Sequence, residues 1–129
     1  MRLRALIVDD QPDVRKLIRL TLQFDEDFEL FEADNGEDGW CMAQDLRPAV
    51  VMLSEQLPGP LNGRGVCRNI KEHAVLSGTT KVVVLGPGVR DAPAQDSETT
   101  GADAYLLKPF SPLQLLRTLD DAMGRLGAR

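Results

Sequence analysis

The chain has one histidine, two cysteines, one tryptophan and one tyrosine among 129 residues, and each scarcity closes off a class of chemistry. Cys41 and Cys67 stand in no metal-ligand spacing, and the lone His73 cannot complete a zinc set that needs several nitrogen or sulfur donors. Free thiols partly packed in the core are the expected state of both cysteines. No apolar run approaches the length of a membrane span, and the start "MRLRALIVDD" carries neither a long apolar stretch nor a small-residue cleavage site. A cytoplasmic protein without membrane contact is expected. Basic residues are outnumbered, 15 Lys and Arg against 20 Asp and Glu, and they are scattered along the chain. Nucleic-acid binding would need a basic patch to neutralise phosphates, so none is expected of this domain.

What is present fits one soluble α/β domain. Hydrophobic residues make up 43% and charged residues 27%, enough apolar material for a real core at this length. "RALIVDD", "AVVMLS", "KVVVLG" and "AYLL" are apolar runs of the kind that form strands buried on both faces, and "FELFEA" alternates as a strand does. Between them lie segments with helical spacing. Val14, Leu17, Ile18, Thr21 and Leu22 follow Pro12, which suits a first helical turn. Trp40, Ala43 and Leu46 mark a second helix, and a third is expected from about Val66 through Ile70. In the last segment Ser111 can cap, Pro112 fits the first helical position, and Leu113, Leu116 and Met123 mark a buried face. The stretch "PGVRDAPAQDSETTGAD" has no large apolar residue after Val89 and supports at best a short, poorly anchored helix. Strand and helix alternate five times, which means a parallel sheet covered on both faces and joined by right-handed crossovers. One domain over residues 1–129, with its core at about 3–126, accounts for the chain.

Open parallel sheets place their sites at the carboxyl ends of the strands. The residues there are Asp9 and Asp10, Ser54, Gly86, and Lys108 with Pro109. "LIVDDQPDVRKLI", "PGPLNG" and "GADAYLLKPF", in this order and spacing, closely resemble a response-regulator receiver domain, the CheY-like family of two-component signalling. The resemblance covers nearly the whole chain. It implies a flavodoxin-like (βα)5 doubly wound sheet in strand order 2-1-3-4-5, and a signalling module rather than an enzyme. It also implies that an Asp pair after the first strand holds Mg²⁺, with the main-chain oxygen of Gln56 as a further ligand. An Asp after the third strand accepts a phosphoryl group from a histidine kinase, a Thr or Ser after the fourth turns toward it, an aromatic on the fifth follows inward, and a Lys binds a phosphate oxygen. Carried over, Asp9 and Asp10 match the acidic pair, Lys108 the lysine and Tyr105 the aromatic. The Lys108–Pro109 bond is expected to be cis. Two positions depart from the pattern: Ser54 stands where the acceptor Asp should be, and Gly86 where the hydroxyl residue should be. The loop "PGPLNGRGVC" also carries one extra residue.

Those departures change the chemistry. An aspartate is ionised at neutral pH and can attack phosphorus without a base, whereas a serine hydroxyl needs an adjacent base to take its proton. His73 cannot serve, since about 1.5 Å per residue along a helix puts it roughly 15 Å from the crevice; it reads as a surface helix residue. Glu55, next to Ser54, should face the other side of the sheet from Asp10. Mg²⁺ gains affinity from carboxylate charge, so a site built on Asp9, Asp10 and Gln56 should be weak or vacant, and no cofactor is required. Gly86 offers no hydroxyl to draw Tyr105 from one rotamer to another. The expected function is a receiver-like interaction module that works without aspartyl phosphorylation. Its partner is a protein, meeting the face formed by the fourth helix, fifth strand and fifth helix, and a homodimer is a further option. Lys108 then pairs with the acids and fixes the crevice. Two other readings stay open: a working phosphorelay receiver with an unusual acceptor such as Ser54 itself, and a flavin or nucleotide binder on the same topology. Against the last, "DDQPD" puts carboxylates where a phosphate-cradling loop would need Gly, Ser or Thr.

Overall fold

Five strands and five helices follow one another in the computed structural model, which describes residues 2–87 and 101–125. In chain order they are β1 (Leu3–Val8), α1 (Pro12–Leu22), β2 (Phe28–Ala33), α2 (Gly36–Leu46), β3 (Val50–Ser54), α3 (Gly63–Glu72), α4 (Leu76–Thr79), β4 (Lys81–Gly86), β5 (Ala104–Leu107) and α5 (Pro112–Ala122). The sheet runs β2-β1-β3-β4-β5 with every neighbouring pair parallel, the order and direction expected. The weakly apolar stretch between β4 and β5, where a short helix was expected, lies mostly outside the described residues.

The apolar runs behave as strands covered on both sides. In β1, Ala5 and Ile7 enter one core layer, with Met52, Leu85, Ile18 and Leu115, while Leu6 and Val8 enter the other, with Leu53, Val84, Val66 and Ile70. This two-residue period divides the helices: α1 and α5 cover the first face, α2 and α3 the second. Register then aligns the carboxyl ends, pairing Ser54 with Leu85 across β3 and β4, and Gly86 with Leu107 across β4 and β5.

Helix starts follow local chemistry. Pro12 opens α1, and Ser111 with Gln114 forms a reciprocal capping box on α5, at 3.1 and 2.8 Å. The Asn62 side chain accepts from Gly65 N at 2.9 Å. That cap starts α3 at Gly63, three residues before Val66, because a polar cap sets the boundary rather than the first apolar residue. Gly63 is also a place of close approach. A Cβ there would lie 1.9 Å from the Ser54 carbonyl oxygen and 2.7 Å from the Glu55 Cα. Both are backbone atoms that cannot swing aside, so Gly63→Ala should cost about 2 kcal/mol, the range for overpacking; a urea midpoint equal to wild type would refute this.

Four readings of the sequence need correction. Leu113 is 49% exposed, and the buried face of α5 is Leu115 and Leu119, with Leu116 and Met123 only half-buried beside them. Once the capping box fixes the first turn, the 3.6-residue period rotates Leu113 outward. Cys41 is exposed on α2 while Cys67 is buried, and no disulfide joins them. The short helix α4 was not expected, since its four residues contain a single buried side chain, Leu76. His73 helps to make it. As the residue ending α3, its Nδ1 accepts from Val75 N and Leu76 N at 3.1 and 3.2 Å, and its ring meets Trp40 edge-on. It is a half-buried turn residue rather than a plain surface one.

Candidate functional site

At the carboxyl ends of β1, β3 and β5 the chain leaves the sheet, and Asp10, Gln11, Ser54, Gln56, Leu85, Pro87 and Lys108 line a crevice of about 380 Å³. Asp9 lies behind this lining, in contact with Gln11 and Lys108. Its N–H still extends the sheet, donating to Ala33 O at 3.1 Å, so the residue is fully buried while Asp10 beside it is exposed. Oδ1 of Asp9 accepts from Gln11 N at 2.9 Å, and its carbonyl accepts from Arg15 Nη1 at 2.7 Å. Oδ2 has no hydrogen bond yet lies 2.8 Å from Lys108 Nζ. The approach is too oblique for a hydrogen bond and works as an ion pair.

Lys108 gathers the site. Besides Asp9, its Nζ donates to Gln11 Oε1 at 2.7 Å and to Ser54 Oγ at 3.3 Å. Ser54 in turn donates to the Gln56 carbonyl at 3.1 Å. The serine is 3% exposed, and its hydroxyl therefore sits between an ammonium and a carbonyl, neither of which can accept its proton as a base. The Lys108–Pro109 peptide is cis.

A divalent cation does not fit this donor set well. Among the described residues no three His, Cys, Asp or Glu side chains converge. Asp9 Oδ2 already faces a cation, and the Gln56 carbonyl accepts from Ser54. A metal at Asp9 would compete with the Lys108 ammonium for Oδ2.

Gly86, Tyr105 and Glu55 form a second group on the opposite face of the same sheet edge. Alternation along the strand points Glu55 away from Ser54, and its carboxylate accepts from Tyr105 Oη through Oε2 and from Arg64 Nη2 at 3.2 Å through Oε1. The Tyr105 ring packs directly over Gly86. Sequence reasoning identified Tyr105 and Gly86 but treated Glu55 only as a stand-in carboxylate, and it passed over Gln11 and Arg64. The signal for Gln11 was its place directly after the acid pair. Arg64 carried none beyond following the Asn62 cap.

The family model for the response regulator receiver domain matches residues 5–120. The phosphate regulon transcriptional regulatory protein PhoB of Pseudomonas aeruginosa is 31% identical over 122 residues, covering 95% of this chain and 52% of PhoB. Transcriptional regulatory protein SrrA of Staphylococcus aureus is 32% identical over 111 residues, covering 86% of this chain and 44% of SrrA. The chain thus spans about half the length of these curated relatives. Among solved structures, the chemotaxis response regulator CheY4 of Vibrio cholerae superposes with a TM-score of 0.82 at 26% identity, covering 95% of this chain and 99% of CheY4. With its parallel sheet in the order 2-1-3-4-5 and a family match over nearly its whole length, the chain belongs to the response regulator receiver domain family of two-component signalling.

Proposed function

We propose that this receiver acts as a protein-interaction module that does not depend on aspartyl phosphorylation. The observation that carries this reading is the setting of Ser54. It ends β3, where the family resemblance places the phosphoacceptor, and its hydroxyl is directed at the Gln56 carbonyl with Lys108 on its other side. Neither the nucleophile nor a base to create one is in place. Lys108, paired with Asp9, has a structural role instead. Mg²⁺ competes with that ammonium for Asp9 and binds weakly, so the module needs no cofactor and performs no catalysis. Gly86 stands where the switch hydroxyl would be, and signalling runs through contact with a protein partner at the surface around β5 and α5; a second copy of the chain could supply that contact. No described helix is long and apolar enough to cross a membrane, which agrees with work in the cytoplasm.

Backbone amide spectra recorded with and without Mg²⁺ and beryllofluoride, a phosphoryl mimic, test the reading. Changes should stay with the neighbours of Asp9 and Asp10. Shifts spreading through Ala104–Leu107 and into α5 would mean that a phosphate-driven equilibrium survives.

A further inference from the structure

The volume a side chain would fill at Gly86 is taken by the Tyr105 phenol. A Cβ at Gly86 would lie 1.8 Å from Tyr105 Oη, 2.3 Å from Cζ and 2.5 Å from Cε1. The ring can adopt this position only because residue 86 has no side chain. Its hydroxyl donates to Glu55 Oε2, and Glu55 is itself a fixed post. Its main-chain N–H donates to Leu85 O at 2.9 Å, its carbonyl accepts from Gly63 N at 3.1 Å, and its side chain is 8% exposed. Arg64 holds the other carboxylate oxygen, with Nη2 at 3.2 Å and Nε at 3.4 Å. Arg64 stands in the first turn of α3, seated there by the close approach of Gly63 to the end of β3.

From this geometry we propose that Glu55 is the positioning residue for Tyr105. The Arg64-braced carboxylate latches the phenol over Gly86, so that the β5 surface rests permanently in the ring-inward state. The inference rests on the reading that no phosphoryl group sets this surface, and it supplies what sets it instead. A buried carboxylate that receives a separate donor on each oxygen is a strong and directional acceptor, and the ends of β3, β4 and β5 are drawn together through one hydroxyl. A serine or threonine at position 86 would evict the ring, so the glycine and the glutamate act as a pair.

The chain contains a single tyrosine, so incorporation of 3-fluorotyrosine gives one ¹⁹F resonance, with the fluorine next to the hydroxyl that donates to Glu55. At mildly acidic pH, where the phenol stays protonated, the wild-type line should be displaced from that of a short fluorotyrosine peptide. Gly86→Ala and Glu55→Ala should each move it most of the way to the peptide position. Glu55→Gln, which keeps an acceptor oxygen, should stay closer to wild type, and Arg64→Ala should fall between. If Gly86→Ala does not fold, Glu55→Ala alone decides. A Glu55→Ala line that coincides with wild type overturns the latch. Adding Mg²⁺ and beryllofluoride to the wild type separates the two readings: a moved line would sink both phosphorylation independence and the permanence of the ring-inward state, while the role of Glu55 in positioning the ring is judged on the variants.

Discussion

Ser54→Asp is expected to convert a chain that takes no phosphoryl group from a small phosphodonor into one that takes a single group, and to raise Mg²⁺ affinity at least tenfold, about 1.4 kcal/mol. The reasons are local. A carboxylate at residue 54 is ionised at neutral pH and needs no base, and it adds a third acidic side chain beside Asp9 and Asp10. It also removes the hydroxyl that occupies the Gln56 carbonyl, which frees that oxygen for the metal. Lys108 already donates to the residue 54 side chain at 3.3 Å and would serve a phosphate oxygen equally well. The substitution should restore writing of the signal without its reading, because Gly86 still lacks a hydroxyl. Intact mass after phosphodonor treatment, together with Mg²⁺ titration, measures both halves. A variant that stays unmodified, or whose Mg²⁺ affinity equals that of wild type, would show that something other than residue 54 disables the site.

Lys108→Met should destabilise the fold by about 2 kcal/mol. Asp9 is completely buried and its Oδ2 faces Lys108 Nζ at 2.8 Å without any hydrogen bond. Taking one partner from a buried ion pair commonly costs about 3–5 kcal/mol, because the other charge is left uncompensated. Here the lysine side chain is 18% exposed and the crevice admits water, so the loss should fall below that range, at about 2 kcal/mol. Asp9→Asn in the same chain should recover much of the loss, since the stranded charge is gone. The double-mutant cycle then isolates the pair from the other contacts of each residue. A neutral or stabilising Lys108→Met in urea unfolding would mean that the lysine does not hold the crevice together.

How far the sequence led can be judged residue by residue. The sheet was legible because Val50–Leu53 and Val82–Leu85 are apolar runs that must be covered on both faces, and alternation with helical segments leaves few topologies. Helix boundaries were legible where a cap was weighed, as at Ser111, and misplaced where it was not, as at Asn62. Leu113 was assigned to the buried face of α5 from its hydrophobicity, whereas the phase of the helix turns it to solvent. At the site, Asp9, Ser54 and Lys108 were found because the fold brings strand ends together. What stayed hidden was which groups touch. Nothing local in "LNGRG" announces that Arg64 braces Glu55. That contact depends on how closely α3 approaches β3, a property of Gly63 and its neighbours in space. The Tyr105–Glu55 pair likewise joins residues 50 positions apart, and it exists only because residue 86 leaves room.

The most direct test is the simplest: wild-type protein incubated with a small phosphodonor and Mg²⁺, then weighed intact, with Ser54→Asp run beside it as the responsive control. The wild-type mass should not change while the control gains one phosphoryl group. A wild-type chain that gains a phosphoryl group, mapped by fragmentation to Ser54 or to any carboxylate of the crevice, would contradict the account.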